Sequence, residues 1–219
     1  MQVEWFGQSA FALTADGRTV AIDPFGDIGA SSSRRWEYPP IALDADLLLV
    51  THEHADHNGV EAIGGDPVVI RSRAGTHASP IGEVVGVASE HDDVAGTQRG
   101  PNTIYVFTLG GTRVVHLGDL GQPALRPEQL AAIGPVDLAF VPVGGGFTIG
   151  AETATEVAFA LGAAIVVPMH YRTHRIDFLE DVEPFAALAP RVHRLPAPRL
   201  ALEELPDVDG PLVVIPAAP

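Results

Sequence analysis

Apolar and polar positions alternate in short runs at the start of the chain and merge into unbroken apolar runs further on. Residues 2–6, 10–14 and 19–23 read as short antiparallel strands, separated at Gly7-Gln8 and at Asp16-Gly17. Asp-Gly between two apolar runs is a hairpin signal, because both residues accept the positive φ of a tight turn. Further on, residues 46–51, 67–70, 83–87, 103–108, 112–117, 137–141 and 164–167 lack clean alternation. Strands of that kind, mixed with helices, predict sheets covered by helices. Three helices are expected. Pro127–Ile133 opens with Pro at a first-turn position. Residues 152–161 place Ala154, Val157, Ala158 and Leu161 on one face, and a third helix spans 177–188. Two late strands are expected at 192–195 and Leu212–Ile215 in a Pro-rich tail. Residues 24–40 form a long loop carrying Ser31-Ser32-Ser33-Arg34-Arg35-Trp36-Glu37-Tyr38, a length associated with functional loops. No linker or charge block divides the chain, so one α/β domain over 1–219 is expected.

Composition narrows the chemistry. The 219 residues contain no Cys, which removes disulfides, thiolate metal sites and cysteine nucleophiles together. Thirteen Lys+Arg, all of them Arg, stand against 28 Asp+Glu, for a formal net charge of -15. That balance argues against a broad nucleic-acid surface but not against a small anionic substrate met by a few arginines. The N-terminal residues 1–7 lack a basic start and an apolar core, and the longest apolar runs are too short to span a bilayer. A cytoplasmic protein with no membrane partner is the expectation, and a homo-oligomer is compatible with it.

The densest chemical signal is Thr51-His52-Glu53-His54-Ala55-Asp56-His57, which follows an apolar strand directly. A strand end fixes the backbone there, and imidazole and carboxylate donors suit zinc, iron or manganese. Three later apolar runs each deliver one further donor at their C-terminal end: His91, Asp119 and His170. Open α/β sheets collect their ligand sites at that edge. Gly118 and Gly121 flank Asp119 and allow a sharp turn there. Taken singly, each of these later residues is more often a satisfied core group than a ligand.

The succession His-x-His-x-Asp-His, then a His, then Asp in a Gly-Asp turn, then a His after an apolar strand resembles the metallo-β-lactamase superfamily. The likeness runs from about Val3 to Thr173. The stretches 99–102, 116–121, 142–145 and 168–171 look like its lactonase-like, zinc-dependent hydrolase group. The resemblance implies an αββα sandwich with two divalent ions at one edge, zinc first, with manganese or iron as alternatives. Carried over by position, His52, His54 and His91 would hold one ion. Asp56, His57 and His170 would hold the other, and Asp119 would bridge them. Asp23 matches the family's first motif and is expected to accept a hydrogen bond from a ligand His, which fixes the ring tautomer. The absence of Cys disfavours the antibiotic-hydrolysing branch, and His54 in place of Glu disfavours the diiron oxygen-reducing branch.

The implied activity is hydrolysis of a small phosphodiester, cyclic phosphate, lactone or ester by a metal-bound hydroxide. Asp56 or Asp119 would take the proton of the attacking water. His174, Tyr171 and His116 are candidate proton donors, with His174 the preferred acid and His116 expected to be buried support. Arg34, Arg35, Trp36 and Arg99 are candidate substrate contacts, since guanidinium groups clamp carboxylate or phosphate. The Gly-rich run 142–148 either receives an anion or lets the chain pass beneath the ions. A ribonuclease-like phosphodiesterase and a non-catalytic metal-binding scaffold are the competing readings.

Overall fold

A computed structural model describes residues 1–28 and 34–219. Ser31, Ser32 and Ser33 of the expected loop lie outside the described residues. The two principal sheets are each built around apolar strands. In the first, the order is Arg199–Ala201, Gln2–Gly7, Ala10–Ala15, Arg18–Ile22, Leu47–Val50, Val68–Arg71. In the second it is Val192–Arg194, Leu212–Ile215, Ile165–Met169, Leu138–Pro142, Thr112–His116, Pro101–Leu109, Gly82–Glu90, Gly75–Ser79. Both sheets are antiparallel on one side, where turns connect the strands, and parallel on the other, where longer crossovers do. A two-stranded pair joins Leu43–Asp44 to Ile63–Gly64.

Period-two geometry divides the buried residues between two clusters. Leu47 and Leu49 join Phe11, Leu13, Val20 and Ile22 in the main core, where the sheets meet and Phe11 packs on Phe140 at 4.4 Å between ring centroids. Leu48 and Val50, pointing the other way, join Ala21, Phe25, Tyr38, Ile41, Ile176 and Leu179. Strand Leu47–Val50 reads as continuously apolar because both faces are covered.

The two mixed sheets and their helices form the expected α/β sandwich, but the helical covering is uneven. Helix α1 (Pro127–Ile133) packs against strand Gly82–Glu90, α2 (Ala151–Leu161) against strand Leu138–Pro142, and α3 (Glu183–Leu188) against α2. Among the described residues, the outer face of the first sheet is instead covered by loop residues, with only the 3-10 turn Val60–Ala62 contributing helical backbone. The expected helix over 177–188 is also shortened to its last turn and a half. Pro184 is confined to a first turn, and the Asp181 carboxylate accepts the Glu183 N–H at 3.1 Å. The backbone ahead of it is engaged elsewhere: Arg172 N–H donates to Glu180 C=O and Glu180 N–H to Gly144 C=O, both at 2.8 Å. Among the described residues no helix is long and apolar enough to cross a membrane.

Two predictions follow from this packing. Phe11→Ala removes a ring that is 1% exposed, and should lower unfolding stability by ~3–5 kcal/mol in denaturant titration. The second concerns Asp46, just ahead of strand Leu47–Val50, which accepts Thr19 N–H at 2.8 Å and Arg18 Nη1–H at 2.6 Å and so ties that strand to Arg18–Ile22. The Thr19 N–H and then the Arg18 guanidinium hold its carboxyl below the usual aspartate range. A depressed carboxyl stabilises the fold above its unfolded pKa. The stability difference between wild type and Asp46→Asn should therefore be full at neutral pH and shrink as pH falls below ~4, in melts taken between pH 7 and 3.

Candidate metal centre

Five strand ends supply the centre. Asp23 follows Arg18–Ile22, and the 52–57 loop follows Leu47–Val50. His91 follows Gly82–Glu90, Asp119 lies three residues past His116, and His170 follows Ile165–Met169. Backbone bonds lace the two sheets together at this edge: Thr103 N–H donates to Thr51 C=O at 3.0 Å, and His170 N–H to Gln8 C=O at 3.2 Å. His170 itself has φ 51, a left-handed conformation uncommon for a non-glycine residue and frequent at functional sites. Two glycines permit the close approach. Gly118 has φ +56, and a Cβ there would strike the Asn102 and Thr51 side chains. A Cβ on Gly144 would strike the His170 carbonyl, so the Gly-rich run passes beneath His170.

Everything points at one oxygen. Asp119 Oδ2 lies 3.2 Å from His57 Nε2, 3.2 Å from His91 Nε2, 3.3 Å from His170 Nε2 and 3.9 Å from His52 Nε2. Asp56 Oδ2 stands 3.6 Å from His57 Nε2 and 3.8 Å from His170 Nε2. His52 Nε2 and His54 Nδ1 face each other at 3.0 Å. Three groups of donor atoms are close enough to share an ion: His52, His54 and His91; His52, His57 and Asp119; Asp56, His57 and His170. Asp119, His52, His57, His91 and His170 are buried, and Asp56 is partly so.

Supporting residues set the ring tautomers. Asp23 Oδ2 accepts from His57 Nδ1 at 2.9 Å and from the Thr51 hydroxyl at 2.7 Å, and Oδ1 accepts Thr51 N–H at 2.7 Å. With its proton committed to Asp23, Thr51 Oγ1 accepts from His52 Nδ1 at 3.1 Å. One carboxylate thereby aims the Nε2 lone pairs of two histidines at the centre. Asn102 Oδ1 accepts Asp119 N–H at 3.2 Å, and the Ser9 hydroxyl donates to Asp119 Oδ1 at 3.4 Å. His116 is fully buried and donates from Nε2 to Ser9 C=O at 3.0 Å, as expected for a supporting residue.

The electrostatics favour cations. Burial, then the nearby His57 charge, pushes His52 down to about 3, and burial also lowers His54, so both rings present neutral lone pairs. Burial opposes a charge on His57, but Asp119, Asp56 and Asp23 outweigh it and hold that ring well above the ordinary value. Burial likewise opposes ionisation of Asp119, yet the His170 and His57 charges keep it well below the ordinary range. His57 Nε2 makes no well-formed hydrogen bond despite its 3.2 Å approach to Asp119. Two neutral imidazoles, ionised carboxylates and a protonated His57 whose buried Nε2 proton a cation would displace suit divalent ions.

The centre floors a cavity of about 360 Å³ whose walls include Arg34, Trp36, Arg99, Phe147 and Phe178. Of the expected substrate contacts, Arg34, Trp36 and Arg99 line it. Arg35 does not: it is exposed, with its Nη1 on His174 C=O at 3.2 Å and its Nε 3.9 Å from Asp177. His174 is exposed and outside the cavity wall, and Tyr171 is buried against Trp5 at 5.3 Å. Sequence reasoning missed Ser9 and Asp92. The Asp92 carboxylate accepts the N–H groups of Val94, Gly96, Gln98 and Arg99 at 2.6–3.0 Å. Burial raises its pKa, but those four donors outweigh it and bring it to about 2. An Asp two residues before a Gly-containing loop is the one available signal for such a turn.

Known proteins resemble this chain over most of its length. Residues 2–170 match the model of the β-lactamase superfamily domain. A UPF0173 metal-dependent hydrolase of Thermococcus kodakarensis is 30% identical over 220 residues, covering 86% of this chain and 92% of that protein. One from Methanoculleus marisnigri is 32% identical, with 79% and 82% covered. A crystal structure from Thermotoga maritima, assigned to the metallo-β-lactamase superfamily as a candidate zinc-dependent hydrolase, superposes with TM-score 0.78 at 34% identity. It covers 99% of this chain and 98% of that one. Fold and donor set together define a hydrolase of the metallo-β-lactamase superfamily. Within it, the chain belongs to the UPF0173 family of metal-dependent hydrolases.

Asp23→Asn should cost ~10–100-fold in zinc affinity by chelator competition, because it unsettles both ring tautomers while leaving every candidate ligand in place. Affinity unchanged within twofold would show that Asp23 does not orient them.

Proposed function

We propose that this hydrolase works with two divalent ions, one on either side of Asp119, on a small phosphodiester, cyclic phosphate, lactone or ester. The observation that carries the reading is the position of Asp119 Oδ2 among four histidine Nε2 atoms, with the remaining donors falling into two groups around it. His52, His54 and His91 would hold one ion, Asp56, His57 and His170 the other, and Asp119 would be shared. Zinc is the first choice, and manganese or iron suits the same nitrogen and oxygen donors. Ions bound there would act as Lewis acids toward the scissile oxygen and lower the pKa of water.

The chain's own part in the reaction is orientation and proton handling. Asp56 is the carboxylate open to the cavity, with a side chain 26% exposed against 3% for Asp119. It takes the proton from the attacking water and returns it to the leaving oxygen. The water oxygen bonds to carbon or phosphorus as the bond to that oxygen breaks. Asp119 stays ionised between the histidines. In this reading His174, outside the cavity wall, is not the acid. The net charge of -15 and a cavity of about 360 Å³ favour a small substrate over RNA. The full set of donors speaks against a scaffold without turnover.

The protein loaded with zinc should carry about two ions per chain by elemental analysis, and fewer than one would end this reading. In a panel of aryl phosphodiesters and lactones assayed with zinc and with manganese, His52→Ala should lose at least ~100-fold in turnover. Wild type that binds metal but cleaves nothing in the panel would point to the scaffold instead.

A further inference from the structure

Besides the histidines, the cavity wall has a composition that the hydrolytic chemistry does not require. Arg99 lies with its guanidinium carbon 4.4 Å from the centroid of the Phe147 ring. Arg34 approaches the same ring at 5.0 Å and the neighbouring Phe178 at 5.1 Å. All four side chains line the cavity that holds Asp56, Asp119 and His170. Two guanidinium cations gathered on one aromatic ring repel each other, while each is attracted by the ring's negative face.

Arg99 is the more informative of the two. The chain has 28 acidic residues, and Arg18, Arg71 and Arg126 each close on a carboxylate. Among the described residues the Arg99 guanidinium makes no hydrogen bond and no ion pair, so its five N–H donors are uncommitted. It is nonetheless held in place. Its own backbone N–H donates to Asp92 at 2.8 Å, within the loop that this carboxylate gathers. Phe147 sits on a turn joined to the Asp119 loop by Ile149 N–H donating to Leu120 C=O at 3.0 Å. A half-buried cation, braced by its backbone and stacked on an aromatic ring, is pre-organised for a planar oxyanion.

We propose that Arg99 is a specificity residue that binds a second anionic group of the substrate, a carboxylate or phosphate set apart from the bond that is cleaved. Arg34 adds positive charge beside it, and Phe147 and Phe178 supply an apolar face for the intervening carbon chain. The preferred substrate is then an ester, lactone or phosphodiester of an acid that carries another free acid group. This rests on the hydrolase reading for the word substrate, but not for the binding itself.

Calorimetric titration of the zinc-loaded full-length chain tests it with three probes: propionate, glutarate and 3-phosphonopropionate. All three offer one carboxylate to the centre, and only the last two carry a second anion. Wild type should bind at least one of the two-anion probes ~10-fold or more tighter than propionate, and the one that gains more distinguishes carboxylate from phosphate. Arg99→Ala should abolish that advantage while leaving propionate within about twofold, and Arg99→Lys should keep part of it, since charge remains but the fork is lost. Thermal melts of both variants establish that they fold. Equal binding of all probes by wild type would overturn the proposal. So would an advantage that survives Arg99→Ala, or a loss that falls equally on propionate. Failure of every turnover assay would remove the hydrolase reading and leave these binding ratios to decide the role of Arg99 on their own.

Discussion

A buried carboxylate ringed by imidazoles is the constraint around which the molecule is arranged. Asp119 is 2% exposed and would be costly to bury ionised on its own. It is tolerated because His57, His91 and His170 come within 3.3 Å of its Oδ2 and because Asn102 and Ser9 hold its backbone and second oxygen. Those partners come from both sheets and from turns far apart in the chain. The sandwich must therefore close in register before the centre exists. The cross-sheet bonds from Thr103 to Thr51 and from His170 to Gln8 fix that register at the edge where it matters.

The same edge explains why the strands end where they do. Buried apolar residues run along each strand, and within three residues of its end a polar side chain turns inward over the core. Desolvation by that core lowers the basicity of His52 and His116, while the carboxylates raise that of His57. Packing and site chemistry are consequences of one placement. The hydrophobic interior that stabilises the sheets also tunes the donors at their rim.

What could be read in the chain follows from how local each signal is. The 51–57 cluster and the single donors at 91, 119 and 170 stand within three residues of the ends of strands rich in apolar residues, so a strand-end rule finds them. Helix Pro127–Ile133 and strand Leu212–Ile215 have the expected bounds. Strands Gly75–Ser79 and Arg199–Ala201 escaped notice. They are edge strands whose pairing comes from their neighbours rather than from an apolar run of their own. The 177–188 helix was read too long because apolar spacing cannot register that the Arg172 and Glu180 backbones are bonded elsewhere. Ser9 lies 110 positions from the carboxylate it supports, and only the closed sandwich brings them together. Among the substrate-wall candidates, Arg34 and Trp36 reach the cavity while Arg35 between them does not, a distinction set by which way an irregular backbone turns.

The placement of the two tryptophans has an optical corollary. Trp5 is 1% exposed and sealed in the interior beside Phe11, whereas Trp36 forms part of the wall above the donors and pairs through its backbone with Ile176. Since the chain has no third indole, its emission divides into one chromophore that follows the integrity of the sandwich and another that follows what enters the cleft. With Trp5 replaced by Phe, the remaining fluorescence becomes a built-in gauge of occupancy that needs no label.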